Sequence, residues 1–213
     1  MCFGKIPNKE IVKAFDISLI LYAEHSFNVS TFTARTITSS LSDIHSAITG
    51  AIGSLKGPLH GGANEAVMYM MNKIKKPENA LKWINNALDK KEVVMGFGHR
   101  VYKKGDSRVP TMEKYFKKVS KIKNDKKFLK IYEIVKNVMI ERKDIHPNVD
   151  FPTGPTYHLM GFDTDFFTPI FVLSRITGWS AHIMEQHAAN KLIRPLSKYS
   201  GEKHRKVMLL NHR

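Results

Sequence analysis

The sequence has one cysteine, Cys2, so it can assemble neither a disulfide framework nor a cysteine-based zinc site. Long hydrophobic runs are also missing. The longest, at residues 17–23, is interrupted by Ser18 and flanked by charge. It falls well short of the roughly 18 apolar residues of a spanning helix. The first ten residues, MCFGKIPNKE, lack the pattern of a signal peptide. These deficits set the expectation of a cytoplasmic chain that does not engage a membrane. Proline and glycine are not in excess, and no repeat or low-complexity tract is present. With 42% hydrophobic residues among 213, the chain is long enough to bury one good core, or one core and a smaller lobe.

Acidic residues are scarce. Nineteen Asp and Glu face 34 Lys and Arg, giving a formal charge of +15. A basic chain attracts polyanions, including nucleic acid, anionic lipid and nucleotide cofactors. Here the lysines are spread, as at Lys73, Lys75, Lys76, Lys90, Lys91, Lys117 and Lys118, which is the pattern of a solvated face. No helix-turn-helix signature or aromatic-interleaved basic patch accompanies them. A nucleic-acid partner therefore rests on charge alone and is not expected. The histidines lack ligand spacing for a metal: His182 and His187 lie five apart, not four.

Strand alternation never persists, and the period that does recur is helical. Ile11, Phe15, Leu19 and Tyr22 mark a helix over 10–22, and Ile44, Ala47, Ile48, Ala51, Ile52 and Leu55 mark one over 42–55. Gly50 and Gly53 interrupt the second, which predicts a tight helix–helix contact. Further helices are expected over 65–74 with Asn64 as N-cap, then over 79–91, 110–121, around 128–139, and over 167–190. The three prolines of HPNVDFPTGPT predict an ordered loop. The fold class read from these patterns is all-α.

Three loops carry the polar chemistry. In GPLHGGAN, His60 precedes a helix start, where the positive end of the dipole disfavours imidazolium. A neutral histidine there can polarise a carbonyl and stabilise an enolate. It can equally fill a turn. In MGFGHRVYKK, glycines expose backbone N–H groups beside His99, Lys103, Lys104 and Arg108, which suits phosphate or carboxylate. The same residues also read as a glycine-rich corner. In HPNVDFPTG, Asp150 lies between Val149 and Phe151, and apolar surroundings raise a carboxyl's pKa and make it a better base. An Asp capping a turn is the other reading. Arg175 lies in an otherwise apolar helix, and a buried guanidinium needs an anionic partner. With Arg108 and Arg194 it could grip a dicarboxylate. Each arginine alone could also be a structural ion pair.

Five segments together resemble the citrate synthase family: AEHSFNVSTFTARTITSS, GPLHGGANEAV, VMGFGHRVYKKGDSR, PNVDFPTG, and FTPIFVLSRITGWSAHIMEQ followed by IRPL. PNVDFPTGPTYHLMGF looks most like the bacterial short-type citrate synthases and 2-methylcitrate synthases. The resemblance implies a citrate synthase-like fold, with residues 62–174 as a small domain. Residues 1–61 and 175–213 would form part of a larger one. It implies that Asp150 removes a proton from acetyl-CoA, that His60 stabilises the enol, and that His99 polarises and protonates the oxaloacetate ketone. Water then hydrolyses citryl-CoA. It implies oxaloacetate binding by His25, His99, Arg108, Arg175 and Arg194, with Arg194 serving the opposite subunit of a homodimer. It places CoA against Val93, Val94, Met95, Gly96, Phe97, Gly98 and Lys103. No cofactor is expected, acetyl-CoA being a substrate, and propionyl-CoA would give 2-methylcitrate instead.

Full members of the family are nearly twice this length, and the first residues here match the middle of one. The chain thus reads as a fragment, as one half of a split enzyme completed by an N-terminal chain, or as a relic. The rival class is a non-catalytic protein that binds a partner, or CoA without turnover.

Overall fold

The computed structural model describes residues 3–4, 6–99, 101–102 and 104–212. Cys2, Arg100 and the CoA candidate Lys103 lie outside the described residues. Among those described there is no strand, only a single antiparallel bridge between Phe97 and Pro147. No helix is long and apolar enough to cross a membrane.

Nine α-helices are described: α1 (Lys9–Ala23), α2 (Val29–Ser39), α3 (Ile44–Leu55), α4 (Ala63–Ile74), α5 (Pro77–Asp89), α6 (Val109–Ile122), α7 (Lys127–Lys143), α8 (Asp150–Met160) and α9 (Phe167–Ala188). Side chains start the first three. Asn8, Asn28 and Asp43 each accept a backbone N–H of the opening turn, satisfying donors that have no intrahelical partner. Helices α5 and α6 open with Pro77 and Pro110, where a missing N–H costs nothing.

Two expectations are corrected. Helix α4 begins at Ala63, capped by the backbone of Gly62, so Asn64 is not the cap. Asn64 is buried inside the helix, where Oδ1 accepts from the Glu65 N–H and Nδ2 has no partner. The proline-rich stretch is a helix from Asp150 onward, not a loop. Pro152 falls in the first turn, where N–H groups are unpaired anyway, so only Pro155 removes a ladder bond. Thr153 and Thr156 hydroxyls return hydrogen bonds to the carbonyls of Val149 and Pro152, at 2.7 and 2.6 Å.

The predicted tight contact exists at one glycine. A Cβ on Gly50 would meet Ile37 at 2.2 Å, so α3 lies directly on α2, whereas Gly53 faces open space. Apolar side chains gather in two clusters. One joins Val67, Met71, Ile84, Phe116, Ile131 and Phe151 from α4 to α8. The other joins Tyr22, Ala34, Ala51, Leu55, Trp179 and Ile183 from α1, α2, α3 and α9. Helix α1 supplies Ala14 to the first and Tyr22 to the second; α9 supplies Ile170 and Phe171 in the same way. The candidate site lies along this seam. Residue 174 sits inside the continuous helix α9.

Candidate active site

Asp150 is the first residue of α8, and its position is fixed from two sides. Its N–H donates to Asn148 Oδ1 at 3.1 Å, and Asn148 is itself tied to the glycine loop. The Asn148 N–H donates to Gly96 O at 2.9 Å, and Nδ2 donates to Gly98 O at 3.1 Å. The buried Tyr22 hydroxyl donates to Asp150 Oδ1 at 2.5 Å. Burial pushes the Asp150 carboxyl up to about 6, against the Tyr22 hydrogen bond and the nearby charge of Arg108. That value suits a base working near neutral pH.

His60 sits in the turn before α4. Its Nε2 accepts the Ser30 backbone N–H at 3.3 Å and lies 2.8 Å from the Ser30 hydroxyl. A backbone N–H can only donate, so the ring proton is on Nδ1. Burial lowers His60 to about 4, helped by Arg175 and His25, so the ring is neutral near pH 7. The ring is neutral as expected, with burial as the first cause. Trp179 Nε1 donates to Ser30 Oγ at 3.2 Å, which fixes that hydroxyl from α9.

His99 ends the glycine loop. Its Nδ1 accepts from the N–H groups of Val101 and Tyr102 at 3.1 and 3.2 Å, which places the ring proton on Nε2. The Tyr102 ring stacks on His99 with centroids 4.6 Å apart, and Tyr102 Oη lies 3.0 Å from His25 Nε2. His25 and His99 meet edge to face at 5.0 Å. Burial lowers His25 to about 4, with Arg108, His99 and Arg175 acting in the same direction.

Two arginines close the cluster. Arg175 is 2% exposed. Its Nε donates to the Tyr22 carbonyl at 2.5 Å, its guanidinium lies 4.7 Å from the Phe171 ring centroid, and Nη1 is buried without a partner. Burial lowers it to about 10, Arg108 adding to the effect. Arg108 forks onto Asp106, Nε to Oδ1 at 2.9 Å and Nη2 to Oδ2 at 2.8 Å. Asp106 also accepts the Val149 N–H at 3.0 Å, so this pair braces the start of α8.

In the glycine loop one backbone N–H is not open as expected. The Gly98 N–H is spent on His146 O at 2.9 Å and does not stand open to a phosphate. Gly96 has φ +84°, and a Cβ there would lie 2.8 Å from both Phe151 and Val67, so only glycine lets the loop pack this closely. Val94 is buried, while Val93 is exposed. Beside His99 a cavity of about 200 Å³ is lined by Tyr102, Asp106 and His146. A larger one of about 770 Å³ adjoins it, with Lys104, Lys114, Lys117 and Lys136 on its walls, the last two paired with Glu113.

The family follows from a match between residues 1–196 and the citrate synthase C-terminal domain. The chain belongs to the citrate synthase family. It is 59% identical to 2-methylcitrate synthase 2 of Corynebacterium glutamicum, over 100% of this chain and 57% of that protein. It is 57% identical to a citrate synthase of Mycolicibacterium smegmatis, over 98% of this chain and 56% of that one. Among solved structures, the ternary complex of carboxymethyl coenzyme A and oxaloacetate with citrate synthase from Thermoplasma acidophilum superposes with a TM-score of 0.90. That match is 39% identical and covers 99% of this chain and 57% of that one. The chain thus spans little more than half the length of these relatives.

Within this family member, the structure gathers His25, His60, His99, Arg108, Asp150 and Arg175 into one set through shared neighbours. Arg194 is not among them; it is exposed on the extended segment beyond α9. Sequence reasoning passed over Tyr22, Ser30, Tyr102 and Asp106. Tyr22 reads as a core aromatic at helical spacing, and Ser30 as an ordinary helix-start residue. Only Asp106, two residues before Arg108, carries a signal of its own: the spacing of a local fork.

Proposed function

We propose that this chain carries the condensing site of a citrate synthase, joining acetyl-CoA to oxaloacetate and hydrolysing citryl-CoA to citrate and CoA. The observation that carries this reading is the pairing of a carboxyl raised to about 6 with a neutral imidazole whose proton is on Nδ1. A thioester methyl is a weak carbon acid, so a base and an enol stabiliser must act together. Asp150 takes a methyl proton while the His60 Nδ1–H donates to the thioester oxygen. The enol carbon attacks the oxaloacetate ketone, whose oxygen takes the His99 Nε2 proton. The buried Arg175, with Nη1 unpartnered, supports a carboxylate of oxaloacetate at that end, and His25 completes the polar wall. Lys104 and Lys114, beside the larger cavity, offer cationic surface to the phosphates of CoA.

A second reading keeps the chemistry and changes the acyl group. A 2-methylcitrate synthase and a citrate synthase are nearly equally similar to the chain, at 59% and 57% identity, and one methylene shifts selectivity by only about 1–3 kcal/mol. The test is free-thiol release with oxaloacetate and either acetyl-CoA or propionyl-CoA. It is run on the chain alone and with the N-terminal part of a relative added. Faster release with acetyl-CoA is expected. Faster release with propionyl-CoA would transfer the assignment to 2-methylcitrate, and none in any combination would sink the reading.

A further inference from the structure

Tyr22 is one of the largest fully buried side chains, and it faces the site with both its ends. Its hydroxyl donates to Asp150 Oδ1 at 2.5 Å. Its main-chain carbonyl accepts Arg175 Nε at 2.5 Å. Its ring meets Phe171 edge to face with centroids 4.4 Å apart, and Phe171 in turn underlies the Arg175 guanidinium at 4.7 Å. One residue of α1 therefore touches the carboxyl on α8 and the guanidinium on α9. Among the described residues no donor is found on Asp150 Oδ2.

We propose that Tyr22 is the positioning residue for Asp150. Its hydroxyl holds Oδ1, so that Oδ2 is the oxygen that takes the proton, and its carbonyl aims Arg175. Resting on the condensation reading above, this assigns a role to a side chain that reads in the sequence as core. Pure packing would be served as well by phenylalanine. A phenol hydroxyl placed on a carboxylate in an apolar seam instead stabilises the ionised form and limits rotation of the carboxyl. The other charged or titratable groups facing Asp150 are Arg108 and Asp106 from the turn before α6, Arg175 from α9 and Tyr157 from α8 itself. Among the described residues none of these donates a hydrogen bond to the carboxyl.

The test reads the carboxyl directly. The full chain is labelled with carboxyl-¹³C aspartate, Asp150 is assigned by its loss in Asp150→Asn, and its titration is followed by NMR. In Tyr22→Phe the midpoint should rise by about one pH unit, as expected for a lost hydrogen bond to the charged form. Replacing all seven tyrosines by 3-fluorotyrosine keeps the shape and makes each phenol a stronger donor, so the midpoint should fall. That arm answers the question if Tyr22→Phe fails to fold. An unchanged midpoint in the folded variant, or no fall with fluorotyrosine, overturns the proposal. In thiol release, Tyr22→Phe should lower kcat and move the acid limb upward while KM for oxaloacetate stays within about twofold. A raised KM with an unmoved acid limb would mark Tyr22 as packing. Absence of turnover in the unsubstituted chain would count against the condensation reading and leave the titration to decide the role of Tyr22.

Discussion

Asp150 shows how a residue suited to chemistry is poorly suited to stability. Its carboxyl rises to about 6 in the folded chain, from about 3.9 in an unfolded one. The folded state therefore holds that proton more tightly. Stability is full below about pH 4, falls as pH rises through 6, and stays lower above it. Asp150→Asn should remove this penalty while keeping an acceptor for Tyr22. The expected gain in unfolding free energy at pH 7.5 has an upper bound of about 3 kcal/mol, vanishing near pH 3.5. On the proposed condensation reading, in which Asp150 is the base, the same substitution should cut thiol release by about 10²- to 10⁴-fold. Urea unfolding at the two pH values, beside the assay, checks both halves. A variant no more stable at pH 7.5 than the parent would refute the upward shift of the carboxyl. The sequence showed Asp150 between two apolar neighbours and so indicated the direction of its shift. It could not show Tyr22, because 128 positions separate the two residues and only the packing of α1 on α8 brings them together.

At the scale of elements, legibility followed the strength of the local signal. Helices α1, α3, α5, α6, α7 and α9 were readable from apolar spacing, to within two residues or so at most ends. Helix α2 was not, since VSTFTARTITS is crowded with Thr and Ser, which favour caps and turns. It is helical because Asn28 caps it and because it packs against α3 and α9, while Thr33, Thr36 and Thr38 satisfy their hydroxyls on carbonyls four residues back. Helix α8 was hidden by its prolines. Contacts between helices leave a fainter trace, and Gly178 is one such case. A Cβ there would lie 2.3 Å from the Ala23 carbonyl oxygen, where α9 crosses the end of α1 just beyond Tyr22. Gly178→Ala should therefore destabilise by about 1–3 kcal/mol, even though alanine is the better helix former by about 1 kcal/mol. Gly53→Ala on α3 meets open space and should stabilise by about 0.5–1 kcal/mol. Opposite shifts in the urea midpoint are the expected result; a Gly178→Ala midpoint equal to or above the parent's would mean that α1 and α9 do not approach so closely.

For the molecule as a whole, charge and apolar surface pull in opposite directions. The outer face of α9 exposes Leu173 at 61%, Ile176 at 37% and Met184 at 68%, spaced as one helical stripe. Phe27, Val29 and Phe32 are exposed around the start of α2, which packs against the same helix. Apolar surface of this kind favours association, with each buried side chain contributing about 1.5–3 kcal/mol. Against it stands a formal charge of +15 on 24.3 kDa, which repels a second copy over distances set by the ionic strength. The Debye length falls from about 30 Å at 0.01 M salt to about 8 Å at 0.15 M, so added salt removes the repulsion and leaves the apolar attraction in place. The partner expected for this chain should therefore reveal itself as self-association that strengthens with salt, opposite to an ion-paired dimer. Sedimentation at the two salt concentrations should show the average mass rising above 24.3 kDa at the higher one, and Leu173→Glu should return it to the monomer. A mass that stays monomeric at both concentrations would mean that the α9 stripe does not drive self-association, and a mass that falls with salt would mean that charge pairs, not α9, hold the copies together.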